Sequence, residues 1–136
     1  NEIDISKVAD WFFLLFKRYK IKPYKIGYDQ RFAKTFLDRC NEYGFDTEIL
    51  LQGEYLSNAM KLCESDLKLR QINYNGNPVD KWCLKNCCCK VKEGTTIQPV
   101  KIPGQPKRRI DGALTFIMIE EMFRRYRTDF KTLTGS

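Results

Sequence analysis

The sequence contains no histidine among its 136 residues. Histidine is the commonest general base and a member of the usual catalytic triads, so its absence excludes those mechanisms. Any catalysis by this chain must therefore rely on carboxylates with a metal ion, or on a lysine. The sequence also lacks a Gly-x-x-x-x-Gly-Lys-Ser/Thr loop, which excludes a P-loop ATPase within it.

Long apolar runs and metal-type cysteine spacing are missing as well. No apolar run approaches the roughly 18 residues of a membrane helix, and the chain does not start like a signal peptide. We therefore expect a soluble, intracellular protein without a membrane partner. Six cysteines are present, but no second pair completes a zinc site. Because Cys87 to Cys89 are consecutive, we expect reduced, partly buried thiols rather than disulfides.

Hydrophobic residues and positive charge are abundant. Hydrophobic side chains make up 43% of the sequence, enough for an ordinary domain with a real core. The 24 Lys and Arg residues outnumber the 17 Asp and Glu residues, giving a net charge of +7. This balance favours a polyanionic partner such as nucleic acid.

The spacing of apolar residues predicts the order α-β-α-β-α, hairpin, α. Helices are predicted at 4–20, 31–43, 55–70 and 112–127, a short helix or turn at 79–86, and strands at 22–28, 45–51, 87–93 and 97–102. The first helix is predicted to bury one face, formed by Val8, Trp11, Phe12, Leu15, Phe16 and Tyr19. The alternation is typical of an α/β domain whose parallel strands are joined by helices.

Two aspartates stand at positions suited to chemistry. Asp29 follows the strand at 22–28, and Asp111 begins the last helix just after Lys107, Arg108 and Arg109. They are either turn and cap residues or carboxylates in a shared cleft beyond the ends of the strands. In the second case they would hold Mg²⁺ or Mn²⁺ for hydrolysis of a phosphodiester. The three cations either contact DNA phosphates or form a solvated charge run. The pattern alone leaves these alternatives open.

Four segments resemble a known family when they are taken in order. They are IGYD (26–29), LLQGEYLSNAMK (50–61), NYNGNPVDKWCLKNC (73–87) and KRRIDGALTFIMIEEMFRR (107–125). They are similar to the C-terminal nuclease domain of the large terminase subunit of tailed bacteriophages, which packages and cuts phage DNA. The resemblance covers nearly the whole chain.

The resemblance implies an RNase H-like fold in which three acidic residues bind two metal ions. The second acid falls on Asp29 and the third on Asp111, so both are expected to be catalytic metal ligands. It further implies double-stranded DNA as the substrate, the small terminase subunit and the portal protein as partners, and action in the host cytoplasm.

The chain departs from the family pattern at its start. The first acid of the family lies on a three-stranded antiparallel meander before the first helix, and no segment here supplies that meander. Asp4 is rejected as this acid because the helical pattern begins immediately after it. Since the chain starts at Asn1 without a methionine, we expect a fragment or processed product. Residues 1–136 would form a single, partial nuclease domain that is weakly active or inactive.

Two other functions remain open at this point. The chain is alternatively a basic DNA-binding or assembly module without catalysis, which would bind DNA without divalent metal. It is alternatively another RNase H-like enzyme, such as a junction resolvase or an integrase, which would prefer branched DNA.

Overall fold

The computed structural model describes residues 3–135, including all of their side chains except those of Phe32 and Ala33. The helices are α1 (Ser6–Tyr19), α2 (Ala33–Glu42), α3 (Ser57–Lys68), α4 (Pro78–Asn86) and α5 (Asp111–Thr134), and the strands are β1 (Ile26–Tyr28), β2 (Thr47–Ile49), β3 (Cys87–Glu93) and β4 (Thr96–Lys101). The protein is therefore an α/β protein, as predicted. Its chain divides into two compact units, residues 1–51 and residues 52–136, called here the N-terminal unit and the C-terminal unit. A single domain over 1–136 stays a prediction.

The N-terminal unit contains a parallel β-α-β element. Strand β1 pairs with β2, with Ile26 opposite Thr47 and Tyr28 opposite Ile49, and α2 connects them. This confirms the prediction of parallel strands joined by a helix. Each paired strand has only three residues, fewer than predicted, and Pro23 cannot donate a hydrogen bond that would extend β1 backwards.

The buried face of α1 differs from the predicted one. Trp11 and Tyr19 are each 55% exposed, whereas Ala9 is completely buried. Phe12 and Phe13 pack against the core around Ala9, which also contains Ile26, Phe36, Cys40 and Phe45. Apolar residues occur on several faces of α1, so their spacing does not determine which face lies inward. The small side chain of Ala9 lets this face approach its neighbours closely.

The start of α1 is held by the side chain of Asp4. The Oδ1 atom of Asp4 accepts hydrogen bonds from the backbone N–H of Ser6 at 3.1 Å and from Ser6 Oγ at 2.6 Å. These bonds lower the pKa of Asp4, the side-chain bond having the larger effect. Asp4 thus orders the first turn of the helix.

The C-terminal unit packs α3 and α4 against α5 beside the β3–β4 hairpin. Its core contains Leu56, Ala59, Cys63 and Ile117. The hairpin is antiparallel, with Cys87 opposite Lys101 and Pro99 opposite Cys89, and it forms a two-stranded sheet. Ser57 Oγ accepts a hydrogen bond from the backbone N–H of Ile97 at 3.0 Å. This bond joins the start of α3 to β4.

Helix α4 begins at the predicted turn cluster. The side-chain oxygen of Asn77 accepts hydrogen bonds from the backbone N–H groups of Val79 at 2.9 Å and Asp80 at 3.4 Å. Pro78 occupies the first helical position, where its missing N–H costs no hydrogen bond. Gly76 has a φ of +64°, a conformation that glycine adopts without strain. The cluster therefore fixes where α4 starts.

Helix α5 extends further than predicted, from Asp111 to Thr134 rather than from residue 112 to residue 127. The added residues contain no glycine or proline before Gly135, whose φ of +68° ends the helix. No helix within residues 3–135 is long and apolar enough to cross a membrane. All six cysteines are free thiols, and Cys40, Cys63 and Cys83 are buried, which confirms the prediction.

Candidate functional site

Asp29 lies at the carboxyl end of β1, where the sequence places it. Its Oδ1 atom accepts a hydrogen bond from the backbone N–H of Arg31 at 3.1 Å. Its Oδ2 atom accepts two more from the Arg31 guanidinium, from Nη2 at 2.8 Å and from Nε at 3.1 Å. The Asp29 side chain is 21% exposed and that of Arg31 is 73% exposed. Both oxygens of Asp29 are thus held by a residue only two positions further on.

These contacts set the charge of Asp29. The side-chain hydrogen bond from Arg31 lowers the pKa of Asp29, and the Arg31 backbone N–H and positive charge act in the same direction against a smaller effect of burial. The carboxylate is therefore ionised at neutral pH, as a cation ligand must be. Each oxygen has two lone pairs, so the two guanidinium bonds fill Oδ2 and the single backbone bond leaves one acceptor position on Oδ1.

Glu48 is a second acidic residue of the same unit, and sequence reasoning missed it. It lies on β2 opposite Gly27 of β1. Side chains alternate between the two faces of a strand. The Glu48 side chain therefore lies on the same face of the strand pair as residues 27 and 29. The signal was available, because Glu48 is a charged residue directly before the apolar residues 49–51 of the predicted strand.

Asp111 is the first residue of α5, and its side chain is exposed. The position before it is occupied by Ile110, and no side-chain hydrogen bond caps this helix. Among residues 3–135, no hydrogen bond or ion pair holds the Asp111 carboxylate. The interpretation of Asp111 as a helix cap is therefore wrong. Its carboxylate is available for a cation or a solvent molecule.

The first turn of α5 approaches α4 closely at Gly112. A Cβ atom on Gly112 would lie 3.0 Å from Asp80 Oδ1 and 3.1 Å from the Cβ atom of Cys83. Only glycine allows this approach without displacing a neighbour. The absent side chain therefore lets a second carboxylate, that of Asp80, lie beside the residue that follows Asp111. The sequence does not reveal this, because Asp80 lies 31 positions earlier in the chain.

A buried amide fixes the segment that leads into α5. Asn86 is 1% exposed, and its Nδ2 atom donates a hydrogen bond to the backbone carbonyl of Arg109 at 3.1 Å. The next residue, Ile110, is also buried. Two consecutive residues are thus anchored immediately before Asp111. This anchoring fixes the backbone position at which α5 and Asp111 begin.

Lys107, Arg108 and Arg109 form an exposed basic run beside this helix start. A turn holds it, in which the backbone N–H of Arg108 donates to the carbonyl of Gln105 at 3.1 Å. The first N–H groups of an α-helix have no partner within the helix and attract anions. The uncapped end of α5 and the basic run therefore suit a phosphate group.

The carboxylate oxygens of the candidate residues are of the chemical type that divalent cations prefer. Among residues 3–135, they are not grouped in the number that a metal site needs. Asp29, Asp80 and Asp111 offer the hard carboxylate oxygens that Mg²⁺ and Mn²⁺ prefer. However, no three His, Cys, Asp or Glu side chains of the described part of the chain are grouped closely enough to hold a metal ion. Asp29 belongs to the N-terminal unit and Asp111 to the C-terminal unit. A site shared by these two residues stays a prediction.

Comparisons with known proteins bear on these residues. The family described as the terminase large subunit, endonuclease domain, matches residues 2–126. Over 65 residues, the chain is 34% identical to Protein YmfN of Escherichia coli strain K12; the match covers 46% of this chain and 14% of that protein. The chain thus spans only a small part of the length of this relative. No solved structure matches the chain significantly.

Proposed function

The chain belongs to the family of terminase large subunit endonuclease domains, and from this we propose that it serves in metal-dependent cleavage of double-stranded DNA during phage genome packaging. The family match agrees with the resemblance that the four ordered motifs carry. Of the alternatives open from the sequence, the match favours a packaging nuclease over a junction resolvase or integrase.

In this proposal, Asp29 and Asp111 are two of the carboxylates that hold Mg²⁺ or Mn²⁺. Bound divalent cations would lower the pKa of water and stabilise the negative charge that develops on a phosphodiester under attack. Arg31 keeps Asp29 ionised. Asn86 and Ile110 hold the backbone before Asp111, so that its carboxylate is presented at a fixed place.

The basic run positions the DNA in this proposal. Lys107, Arg108 and Arg109 contact backbone phosphates beside the uncapped start of α5. Such contacts carry no sequence information, which suits an enzyme that cuts with little sequence preference. The small terminase subunit and the portal protein are further partners that the family suggests.

We propose that this chain alone is a weak or inactive nuclease. The family resemblance requires three acids, and the first of them has no counterpart here. The absence of a three-ligand group among residues 3–135 agrees with this. A complete cation site therefore needs at least one further carboxylate, either from this chain after a rearrangement or from additional sequence.

The observation that carries the proposal is the exposed carboxylate of Asp111, without a protein partner in the described residues, beside three cations. We expect weak Mn²⁺ binding by the chain, measured as loss of the free Mn²⁺ signal in electron paramagnetic resonance. Asp111→Asn should weaken this binding by about tenfold or more, since removing even a group that only supports a ligand costs that much.

Asp129→Asn is the matched control, because Asp129 is exposed on the same helix and should leave Mn²⁺ binding unchanged. Cleavage of supercoiled plasmid is measured in parallel and should be slow. Equal Mn²⁺ affinities in the wild type and Asp111→Asn would remove Asp111 from the site. Rapid plasmid cleavage that Asp111→Asn abolishes would show that the chain contains a complete site.

A non-catalytic DNA-binding module is the second candidate. The net charge of +7 favours it, since it suits a polyanionic partner whether or not the chain cuts it. If the chain is such a module, it should bind DNA equally tightly in EDTA and in Mg²⁺. It should cleave DNA in neither buffer. Tighter binding in Mg²⁺ would favour the nuclease.

A further inference from the structure

Helix α4 presents a tryptophan and two lysines to solvent. Trp82 is 42% exposed, and Lys81 and Lys85 are exposed as well; we call these three residues the α4 outer face. The buried residues of α4 are Cys83 and Asn86, which hold the helix in the C-terminal unit. The packing of α4 therefore does not require a tryptophan on its outer face.

The α4 outer face is basic and has no acidic neighbour on its own helix. At about 100° per residue, Lys81 and Lys85 lie on the same side of Trp82, about 100° and about 60° away from it. The only carboxylate of α4, that of Asp80, is turned by about 160° from Trp82 and lies towards Gly112, where an added Cβ atom would be 3.0 Å from Asp80 Oδ1. Within the described part of the chain, no carboxylate pairs with Lys81 or Lys85. Their positive charges are therefore directed to solvent.

Helix α4 lies beside the proposed site in the C-terminal unit. Near its start, Asp80 approaches Gly112, and at its end Asn86 Nδ2 donates a hydrogen bond to the carbonyl of Arg109 at 3.1 Å. Both ends of α4 thus contact the segment 109–112, which contains Asp111 and continues the basic run. Since an α-helix with its side chains is only about 10–12 Å across, one bound nucleic acid can reach both the basic run and the α4 outer face.

An exposed tryptophan beside two lysines indicates the chemistry of the partner. A nucleic acid supplies phosphates for the lysines and flat base rings for the indole, and this combination is typical of surfaces that bind single strands. In a duplex the faces of the bases are covered by their stacked neighbours, so stacking on Trp82 requires an unpaired base. A second copy of this chain would place lysines against lysines, which opposes association. An acidic peptide would engage the lysines without offering rings to the indole.

We propose that the α4 outer face binds single-stranded DNA, with a base stacked on Trp82 and with Lys81 and Lys85 at the flanking phosphates. This inference rests on the proposed function in DNA cleavage and adds a feature of the substrate, an unpaired stretch beside the start of α5. Staggered cuts and fraying leave unpaired bases at the end of a cleaved duplex. The α4 outer face would hold such an end close to the place of cleavage.

The test compares single-stranded with double-stranded DNA, using the whole chain in EDTA. The probes are a fluorescein-labelled thymidine oligonucleotide of about 12 nucleotides and its duplex with the complementary strand, and binding is measured by fluorescence anisotropy. Trp82→Ala should weaken binding of the single strand by about tenfold, the order expected for the loss of one stacked base. It should leave the affinity for the duplex unchanged. Because alanine favours helix, the circular dichroism spectrum should not change.

The second tryptophan of the chain provides the matched control. Trp11 is 55% exposed on α1, and Trp11→Ala should bind the single strand like the wild type. In Trp11→Phe, Trp82 is the only tryptophan left, and the oligonucleotide should quench its fluorescence if a base stacks on the indole. Lys81→Gln with Lys85→Gln should flatten the slope of log affinity against log salt concentration by about 0.7 for each phosphate of the single strand that is no longer neutralised.

Several results would overturn the proposal. One is an equal affinity of the wild type and Trp82→Ala for the single strand, and another is unquenched Trp82 fluorescence at saturating oligonucleotide. Equal weakening of single-strand and duplex binding by Trp82→Ala would assign this residue to duplex DNA instead. Since EDTA is present throughout, none of these results depends on a metal site. A wild type that binds the duplex but not the single strand contradicts this inference alone, whereas one that binds neither also contradicts the proposed function on DNA.

Discussion

Arg31 determines the charge state of Asp29 through three hydrogen bonds from one residue. A carboxylate that is to hold a cation must be ionised at the working pH, and a guanidinium beside it ensures this at the cost of competing for the same oxygens. In the proposed site, the arrangement would provide an ionised ligand before any cation arrives. If Asp29 binds a cation as proposed, its affinity would depend on how far Arg31 withdraws.

This contact predicts the acid behaviour of the N-terminal unit. The folded pKa of Asp29 lies below its unfolded value of about 3.9. Its ionised form therefore stabilises the fold at pH values above about 4, and this stabilisation is lost as the pH falls through the lower folded pKa. Arg31→Gln should raise the pKa of Asp29 towards the ordinary value, measured by the carboxyl carbon shift during a pH titration.

Arg39→Gln provides the control for that titration. Arg39 pairs with Asp10 and Glu42 in the same unit, so its replacement removes an equal charge without touching Asp29. An unchanged pKa of Asp29 in Arg31→Gln would mean that the contact does not persist in solution.

Among the elements, those whose signals are local could be predicted from the sequence. The turn at 73–78, the hairpin and the β1–α2–β2 connection all follow from residues that are near one another in the chain. The inward face of α1 could not be predicted, because apolar residues occur on several of its faces; the full length of α5 was signalled by the absence of glycine and proline from residues 128–134, before Gly135. The approach of Asp80 to Gly112 depends on how two helices pack, which their individual patterns do not contain.

The junction between α4 and α5 depends on Asn86 at the end of α4. Its amide satisfies the carbonyl of Arg109, so Asn86→Ala would leave that acceptor without its bond and empty part of the core. We expect a decrease of about 1–3 kcal/mol in the free energy of unfolding. Urea titrations followed by circular dichroism would measure it.

Asn58→Ala is the appropriate comparison, since Asn58 is exposed in the first turn of α3. It should change the free energy of unfolding by less than about 0.5 kcal/mol. Equal effects of the two substitutions would show that the Asn86 bond contributes nothing to the stability of the junction.

Taken as a whole, the molecule carries the parts of its proposed site on two compact units. The N-terminal unit contributes Asp29 and the C-terminal unit contributes Asp111 and the basic run. The sequence suggested these residues because their types and their order along the chain match the family. Their spatial relation could not be derived from sequence, since it depends on how the units assemble rather than on local propensity.

The basic run should govern how the whole chain binds DNA. Phosphate contacts release counterions, so each one adds about 0.9 to the slope of log affinity against log salt concentration. Replacing Lys107, Arg108 and Arg109 with Gln should therefore flatten this slope by about 0.9 for each phosphate that is no longer neutralised, and should weaken binding to unrelated duplexes equally. Titrations with two duplexes at several salt concentrations would measure both effects.

A charge-matched variant distinguishes direct phosphate contacts at 107–109 from a general attraction between DNA and the positive charge of the chain. Lys17, Arg18 and Lys20, which are also exposed, can be changed to Gln together, and this variant has the same net charge as the first. If the DNA passes along the start of α5, only the change at 107–109 flattens the slope, because counterion release requires direct neutralisation of phosphate rather than net charge alone. Equal slopes in the two variants, with both folds intact by circular dichroism, would mean that the run at 107–109 is only a solvated surface. The phosphates would then have to follow another path across the protein.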